Sequence, residues 1–155
     1  TSRLDACSRQ SVVNAYDNTI RYTDAVLARQ IELLEGAAGV DAALLYVSDH
    51  GESLGEQGVY LHGMPYDFAP REQKQVPMLL WLSPTLQRRS GVSMRCLRDA
   101  AVRGRQGHDA VFHTVFGLLG VRNAVFSPGH DLTAPCRAIR ARLHATARVP
   151  SRTPS

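Results

Sequence analysis

Residues 44 to 66, LLYVSDHGESLGEQGVYLHGMPY, constrain this chain more than any other stretch. The apolar run from Ala42 to Val47 reads as a strand covered on both faces. It breaks abruptly into Ser48-Asp49-His50-Gly51-Glu52. A carboxylate and an imidazole thus stand where the apolar pattern stops, and in open α/β sheets chemistry gathers beyond the carboxyl ends of the strands. Within a regular strand Asp49 and His50 would point to opposite faces. Beyond it, with Gly51 permitting an unusual backbone angle, both are expected to converge on one ion. An oxygen and a nitrogen donor suit zinc, with manganese or iron as alternatives. His62 follows in a second loop marked by Gly63 and Pro65. Taken alone, Asp-His-Gly is a common turn tripeptide, so the motif gains force only from its setting.

The setting is an alternation of helix and strand. Residues 9 to 35 read as one long helix, capped by Ser8 or Ser11 and ended by Gly36. Its apolar stripe is Val12, Tyr16, Ile20, Val26 or Leu27, Ile31 and Leu34. After the strand at 42 to 48 comes a segment of about 27 residues, 49 to 75, read as a long loop kept for function. A second apolar strand spans Val76 to Leu82, with Pro77 tolerable at its start. Residues 85 to 106 read as a short helix with exposed loops. His108 to Val121 reads as an amphipathic helix burying Val111, Phe112, Val115, Leu118 and Leu119. His108 and His113 lie five apart and do not share a face; His108 suits a cap, and neither His130 nor His144 has supporting context. Helix-then-strand order fits an α/β fold.

The chain of 155 residues is long enough for one domain with a real core. It starts at Thr1 with no signal-peptide pattern, and its apolar runs are too short to span a bilayer, a soluble pattern. The net charge of +4 comes from 17 Arg and a single Lys, Lys74. Five of those Arg fall in the last 20 residues, without interleaved aromatics. That composition excludes a recognisable nucleic-acid module and allows at most a weak attraction to anionic membrane. Three cysteines, Cys7, Cys96 and Cys136, leave connectivity open.

The central string closely resembles the catalytic domain of the bacterial lipid A phosphoethanolamine transferases, which include the colistin-resistance enzymes, within the alkaline phosphatase and sulfatase superfamily. The resemblance runs from SVVNAYDNTIRYTDAVL at Ser11, through QKQVPMLLWL at 73 to 82, to HDAVFHTVFGLLGV at 108 to 121, and ends near Cys136-Arg137. It implies a partial sulfatase-like sandwich with a mostly parallel sheet flanked by helices. On this resemblance residues 1 to 136 are the C-terminal part of a catalytic domain, and 137 to 155 a basic, disordered tail. It implies that Asp49 and His50 hold a zinc that activates a threonine alkoxide, and that His62 and Glu52 meet the phosphoethanolamine group, a second metal being the alternative. The nucleophilic threonine and a further Glu ligand match no position here; Thr19 and Thr23 lie in the helix, so the catalytic nucleophile is expected upstream. Ser53 and Tyr66 carry weaker expectations.

The implied reaction moves phosphoethanolamine from phosphatidylethanolamine to lipid A through a covalent threonine intermediate. Its place is the periplasmic face of the inner membrane, with a transmembrane domain preceding this segment. Alternatives are a sulfatase or phosphatase-like hydrolase and an inactive remnant. An oxidising compartment favours disulfides. Cys7 sits where relatives pair with an upstream cysteine, and a bridge between Cys96 and Cys136 is the remaining expectation.

Overall fold

The computed structural model describes residues 3–104 and 106–138. Contacts divide the chain into two compact units, 1–83 and 84–155. The expected tail falls mostly outside the described residues, from 139 onward. Its first two residues are held: Arg137 bridges Val92 in antiparallel sense, and the Ala138 amide donates to the Gly91 carbonyl.

The first unit begins with α1, Arg9–Glu35. Of the two candidate caps, Ser8 takes the role, its hydroxyl accepting from the Ser11 amide at 3.2 Å. Gly36 ends the helix in right-handed backbone, its amide still bonded to the Glu32 carbonyl. The apolar stripe is only partly covered. Val12 is buried, Tyr16, Leu27, Ile31 and Leu34 are half-buried, and Ile20 and Val26 are exposed. Leu27 rather than Val26 therefore faces inward.

Strand β1, Ala43–Val47, pairs antiparallel with β4, Met78–Leu82, from Ala43 against Leu82 to Val47 against Met78. Ser83 fastens the far end, its amide donating to the Ala42 carbonyl and its hydroxyl accepting from the Ala42 amide. Pro77 lies just outside β4, where its carbonyl accepts from the Ser48 amide. The fold is α/β as expected, but both ladders found among the described residues are antiparallel rather than parallel. The physical reason is the connection. Parallel neighbours need a crossover of a dozen or more residues, usually a helix. The segment between β1 and β4 instead folds back on itself. It is also not a bare loop: it holds a ribbon of β2, Ser53–Leu54, and β3, Tyr60–Leu61, followed by the one-turn helix α2, Arg71–Lys74. Nor is β1 fully covered, since its residues are half-buried apart from an exposed Ala43.

The second unit holds α3, Pro84–Ser90, α4, Met94–Arg103, and α5, Asp109–Leu119. Residues 85 to 106 thus form two helices rather than one. Cys96 on α4 is bonded to Cys136, with the Cα atoms 5.5 Å apart, as expected; Cys7 is a free thiol. Helix α5 turns a different face inward than its apolar pattern suggests. Ala110, Thr114 and Gly117 are buried, whereas Phe112, Val115 and Leu119 are exposed. The small face is used because polar chain packs on it. Thr114 Oγ1 accepts from the Leu132 amide at 3.0 Å, and the Asp131 carboxylate lies where a side chain at Gly117 would be. His108 occupies the N-cap without a side-chain capping bond, and Gly120, with φ of 70°, closes the helix in the left-handed region that glycine favours.

Candidate metal and headgroup site

The site is built where β1 stops. Ser48 Oγ donates to the His50 carbonyl at 2.8 Å, turning the chain out of the strand. Gly51 then passes directly against α2. Its amide donates to the Gln73 carbonyl at 3.0 Å, and a Cβ there would collide with the Glu72 carbonyl oxygen. Gly51 is not among the glycines with positive φ. An unusual backbone angle is what its place in the motif suggests; what it supplies is space.

Asp49 projects into solvent, its side chain 89% exposed. Its Oδ1 accepts from the His50 amide at 3.0 Å. That bond, with its own amide and the nearby His50 and His62 rings, holds the carboxyl below the usual carboxylate range. Asp49 is therefore an anion throughout the neutral range. His50 Nδ1 lies 3.0 Å from the Gly51 carbonyl. A carbonyl only accepts, so Nδ1 is the donor, and in the neutral ring Nε2 carries the lone pair. That Nε2 sits 3.8 Å from Asp49 Oδ2.

The ribbon brings up the other two groups. Glu52 precedes β2 and His62 follows β3. Leu61 has φ of 64°, strained for a leucine by about 1–2 kcal/mol, and Gly63 has φ of 105°. These two left-handed residues aim His62 back at the chain. His62 Nδ1 and Glu52 Oε1 are 2.6 Å apart, and the His50 and His62 rings lie 3.7 Å apart at their centroids. Among the described residues Glu52 Oε2 is buried and has no hydrogen-bond partner. One ligand atom from each of His50, Glu52 and His62 falls within 4.8 Å of the others. The structure thus brings His50, Glu52 and His62 together, while Asp49 stands outside this trio, its carboxylate 3.8 Å from His50 Nε2.

Two residues that sequence reasoning missed hold this arrangement. Buried Gln73 donates to Ser53 Oγ at 2.9 Å, so α2 fixes the start of the ribbon. Glu56 Oε2 accepts from the Leu54 amide at 2.6 Å, and its Oε1 lies 3.6 Å from Arg9 Nη2, tying the ribbon to α1. The acidic residue two positions after Leu54 was the only available signal. Ser53 is a structural acceptor here, and Tyr66 is exposed under Lys74, whose Nζ lies 5.0 Å from the ring centre.

Does this donor set fit a divalent cation? Two imidazoles and two carboxylates are the oxygen and nitrogen donors that zinc takes. A buried carboxylate oxygen without a partner is the kind of atom that a cation or ammonium group satisfies.

The sequence model of the family described as Sulfatase matches residues 2–121. Phosphoethanolamine transferase EptA of Escherichia coli strain K12 is 44% identical over 140 residues, which are 90% of this chain and 26% of that protein. The soluble domain of lipooligosaccharide phosphoethanolamine transferase A from Neisseria meningitidis superposes with a TM-score of 0.85 at 38% identity, over 89% of this chain and 42% of that one. The integral membrane form of that protein gives the same TM-score over 88% of this chain and 26% of its own. This chain therefore spans about a quarter of the length of those whole relatives. Among the described residues no helix is long and apolar enough to cross a membrane.

Proposed function

Because this chain belongs to the sulfatase family, we propose that it forms part of the catalytic domain of a zinc-dependent transferase. That enzyme moves phosphoethanolamine from phosphatidylethanolamine to lipid A at the periplasmic face of the bacterial inner membrane. Support comes from the likeness to phosphoethanolamine transferases. The observation that carries the reading is geometric: His50 Nε2, the ring nitrogen turned away from the Gly51 carbonyl, stands 3.8 Å from the ionised Asp49 carboxylate.

On this reading Asp49 and His50 are two ligands of the zinc. When bound, zinc supplies Lewis-acid stabilisation of the nucleophile and the phosphoryl oxygens. The protein's own groups bind and orient the headgroup. Glu52 Oε2, buried and unpartnered, accepts from the ammonium of the ethanolamine. Glu52 Oε1 holds His62 Nδ1, so that His62 Nε2 faces the substrate as an acceptor. The nucleophilic threonine lies outside these 155 residues. A second reading of the same groups, favoured by the close approach of His50, Glu52 and His62, gives Glu52 and His62 to a second cation.

The test is metal content and transfer. Elemental analysis of the purified chain should find weakly held zinc that is lost in Asp49→Ala and His50→Ala. In a full-length enzyme either substitution should abolish transfer to lipid A, by more than the roughly hundredfold to thousandfold typical of losing one electrostatic stabiliser. Polymyxin resistance at wild-type level with either substitution refutes the assignment. Release of phosphoethanolamine or sulfate to water, without transfer, assigns a hydrolase instead.

A further inference from the structure

The charge of this chain is unevenly placed. Residues 84 to 155 hold 12 of its 18 basic residues and only 3 of its 14 acidic ones. Residues 1 to 83, which carry the metal and headgroup site, are net acidic. Such asymmetry between halves points to a polyanionic surface as partner.

Part of the basic charge is organised on a helix. Arg95, Arg98 and Val102 recur at the three- and four-residue spacing of one helical face, with Arg103 beside them, and all four are exposed. Asp99, the one acid in α4, is exposed on the same face, four residues from both Arg95 and Arg103, so the face remains net basic. The opposite side of α4 is turned inward: Cys96, Leu97 and Ala100 are half-buried, and Cys96 is bonded to Cys136. The arginine face is thus held outward on a stapled helix. Helix α3 ends at Ser90, with three residues between it and α4, and carries Arg88 and Arg89, both exposed, in its last turn. Val102, 89% exposed in the middle of the face, offers an apolar side chain among the guanidinium groups.

We propose that the arginine face of α4, extended by the end of α3, is the surface by which this chain lies on an anionic phospholipid bilayer. Guanidinium forks match phosphate oxygens in pairs. An exposed aliphatic side chain between them suits the headgroup–acyl boundary, as in interfacial helices. Neither helix carries an aromatic residue on which bases could stack, which disfavours single-stranded nucleic acid. The choice of a membrane rests on the lipid-transferase reading, since a similar protein is an integral membrane protein. Vesicle binding needs no transfer, so each reading fails separately.

The experiment is sedimentation of the full chain with vesicles of phosphatidylcholine and phosphatidylglycerol, against vesicles of phosphatidylcholine alone. Wild type should pellet with the anionic vesicles only and be released by high salt. Each arginine near an anionic surface is worth about fivefold, so Arg95→Gln, Arg98→Gln and Arg103→Gln together should weaken binding roughly a hundredfold. A control with the same charge change elsewhere, Arg21→Gln, Arg29→Gln and Arg71→Gln, should bind as wild type. If the triple variant of α4 misfolds, Arg98→Gln alone should still cost about fivefold. Equal losses in both triple variants would assign binding to bulk charge and overturn the proposal. So would failure of wild type to pellet with anionic vesicles, or tighter binding to a DNA duplex in the same buffer.

Discussion

Gly51 lies so close against Glu72 that no side chain fits between Gly51 and the Glu72 carbonyl oxygen, while the Gly51 amide bonds the neighbouring Gln73 carbonyl. The turn that carries Asp49, His50 and Glu52 is thereby pressed onto α2, and α2 in turn holds the ribbon through Gln73 and Ser53. Gly51→Ala should push the two segments apart. Overpacking of this kind costs about 1–3 kcal/mol. Thermal unfolding should show that loss, and zinc retention should fall with it, because the His50 carbonyl and ring are set by the same turn. Unchanged stability and zinc content would show that the backbone yields without cost.

How legible was this site beforehand? Helix α1 and strands β1 and β4 were readable because long apolar periodicity and a serine cap leave few alternatives. The proximity of His50, Glu52 and His62 was readable through the string that joins them. The ribbon was not. Its strands are two residues each, and Gln57 and Leu61 adopt left-handed backbone that no sequence rule assigns to glutamine or leucine. The role of Gly51 was misread because steric need and conformational need both select glycine. On α5 the apolar pattern pointed to the wrong face, since its real partner is the distant carboxylate of Asp131 over Gly117. The antiparallel sense of β1 and β4 depends on how the segment between them folds, which periodicity does not report.

Acid should loosen the ribbon. The Glu56 carboxyl is held below its ordinary range, chiefly by backbone amides including that of Leu54, with Arg9 contributing and burial opposing. A carboxyl lowered on folding adds stability that is fully present above its unfolded value and lost as pH falls through the folded one. The loss should therefore develop below about pH 4, the ordinary glutamate range. Glu56→Gln should be less stable than wild type at neutral pH and should flatten this limb of the pH–stability curve. Denaturation midpoints measured from pH 3 to 7 check both, and an unaltered limb in the variant would remove Glu56 from the account.

Asp131 should be costly to truncate. It is 2% exposed, its Oδ1 accepts from the Thr133 amide and hydroxyl at 2.9 and 2.7 Å, and its Oδ2 lies 3.3 Å from Arg137 Nη2. Burial presses the Arg137 guanidinium toward its neutral form, and Asp131 opposes that. Removing one partner of a buried ion pair typically costs about 3–5 kcal/mol because the other charge remains. Asp131→Ala should destabilise the second unit by that order, and Gly117→Ala should disturb it too, since a Cβ there would collide with the same carboxylate. Urea denaturation of both variants provides the measurement. A near-neutral Asp131→Ala would mean that Arg137 finds another acceptor at once.

Reduction should weaken the same unit. Cys96 and Cys136 close a loop with a sequence separation of 40, which spans α5 and the segment that packs on it. In the chain-entropy account a loop of this length is worth about 4 kcal/mol, acting through the unfolded chain. Whole domains are stable by only about 5–15 kcal/mol, so the bridge is a large share. Pairing is also local to the second unit: Ser93, the α4 cap, donates its amide to the Cys136 carbonyl at 2.9 Å. The bridge and this bond therefore fix the start of α4 against the end of the described chain. Cys96→Ala with Cys136→Ala, or dithiothreitol on wild type, should lower the denaturation midpoint of residues 84 to 155 while leaving zinc retention at Asp49 and His50 unchanged. Equal midpoints with and without reductant would show that packing around Cys136 already supplies the constraint.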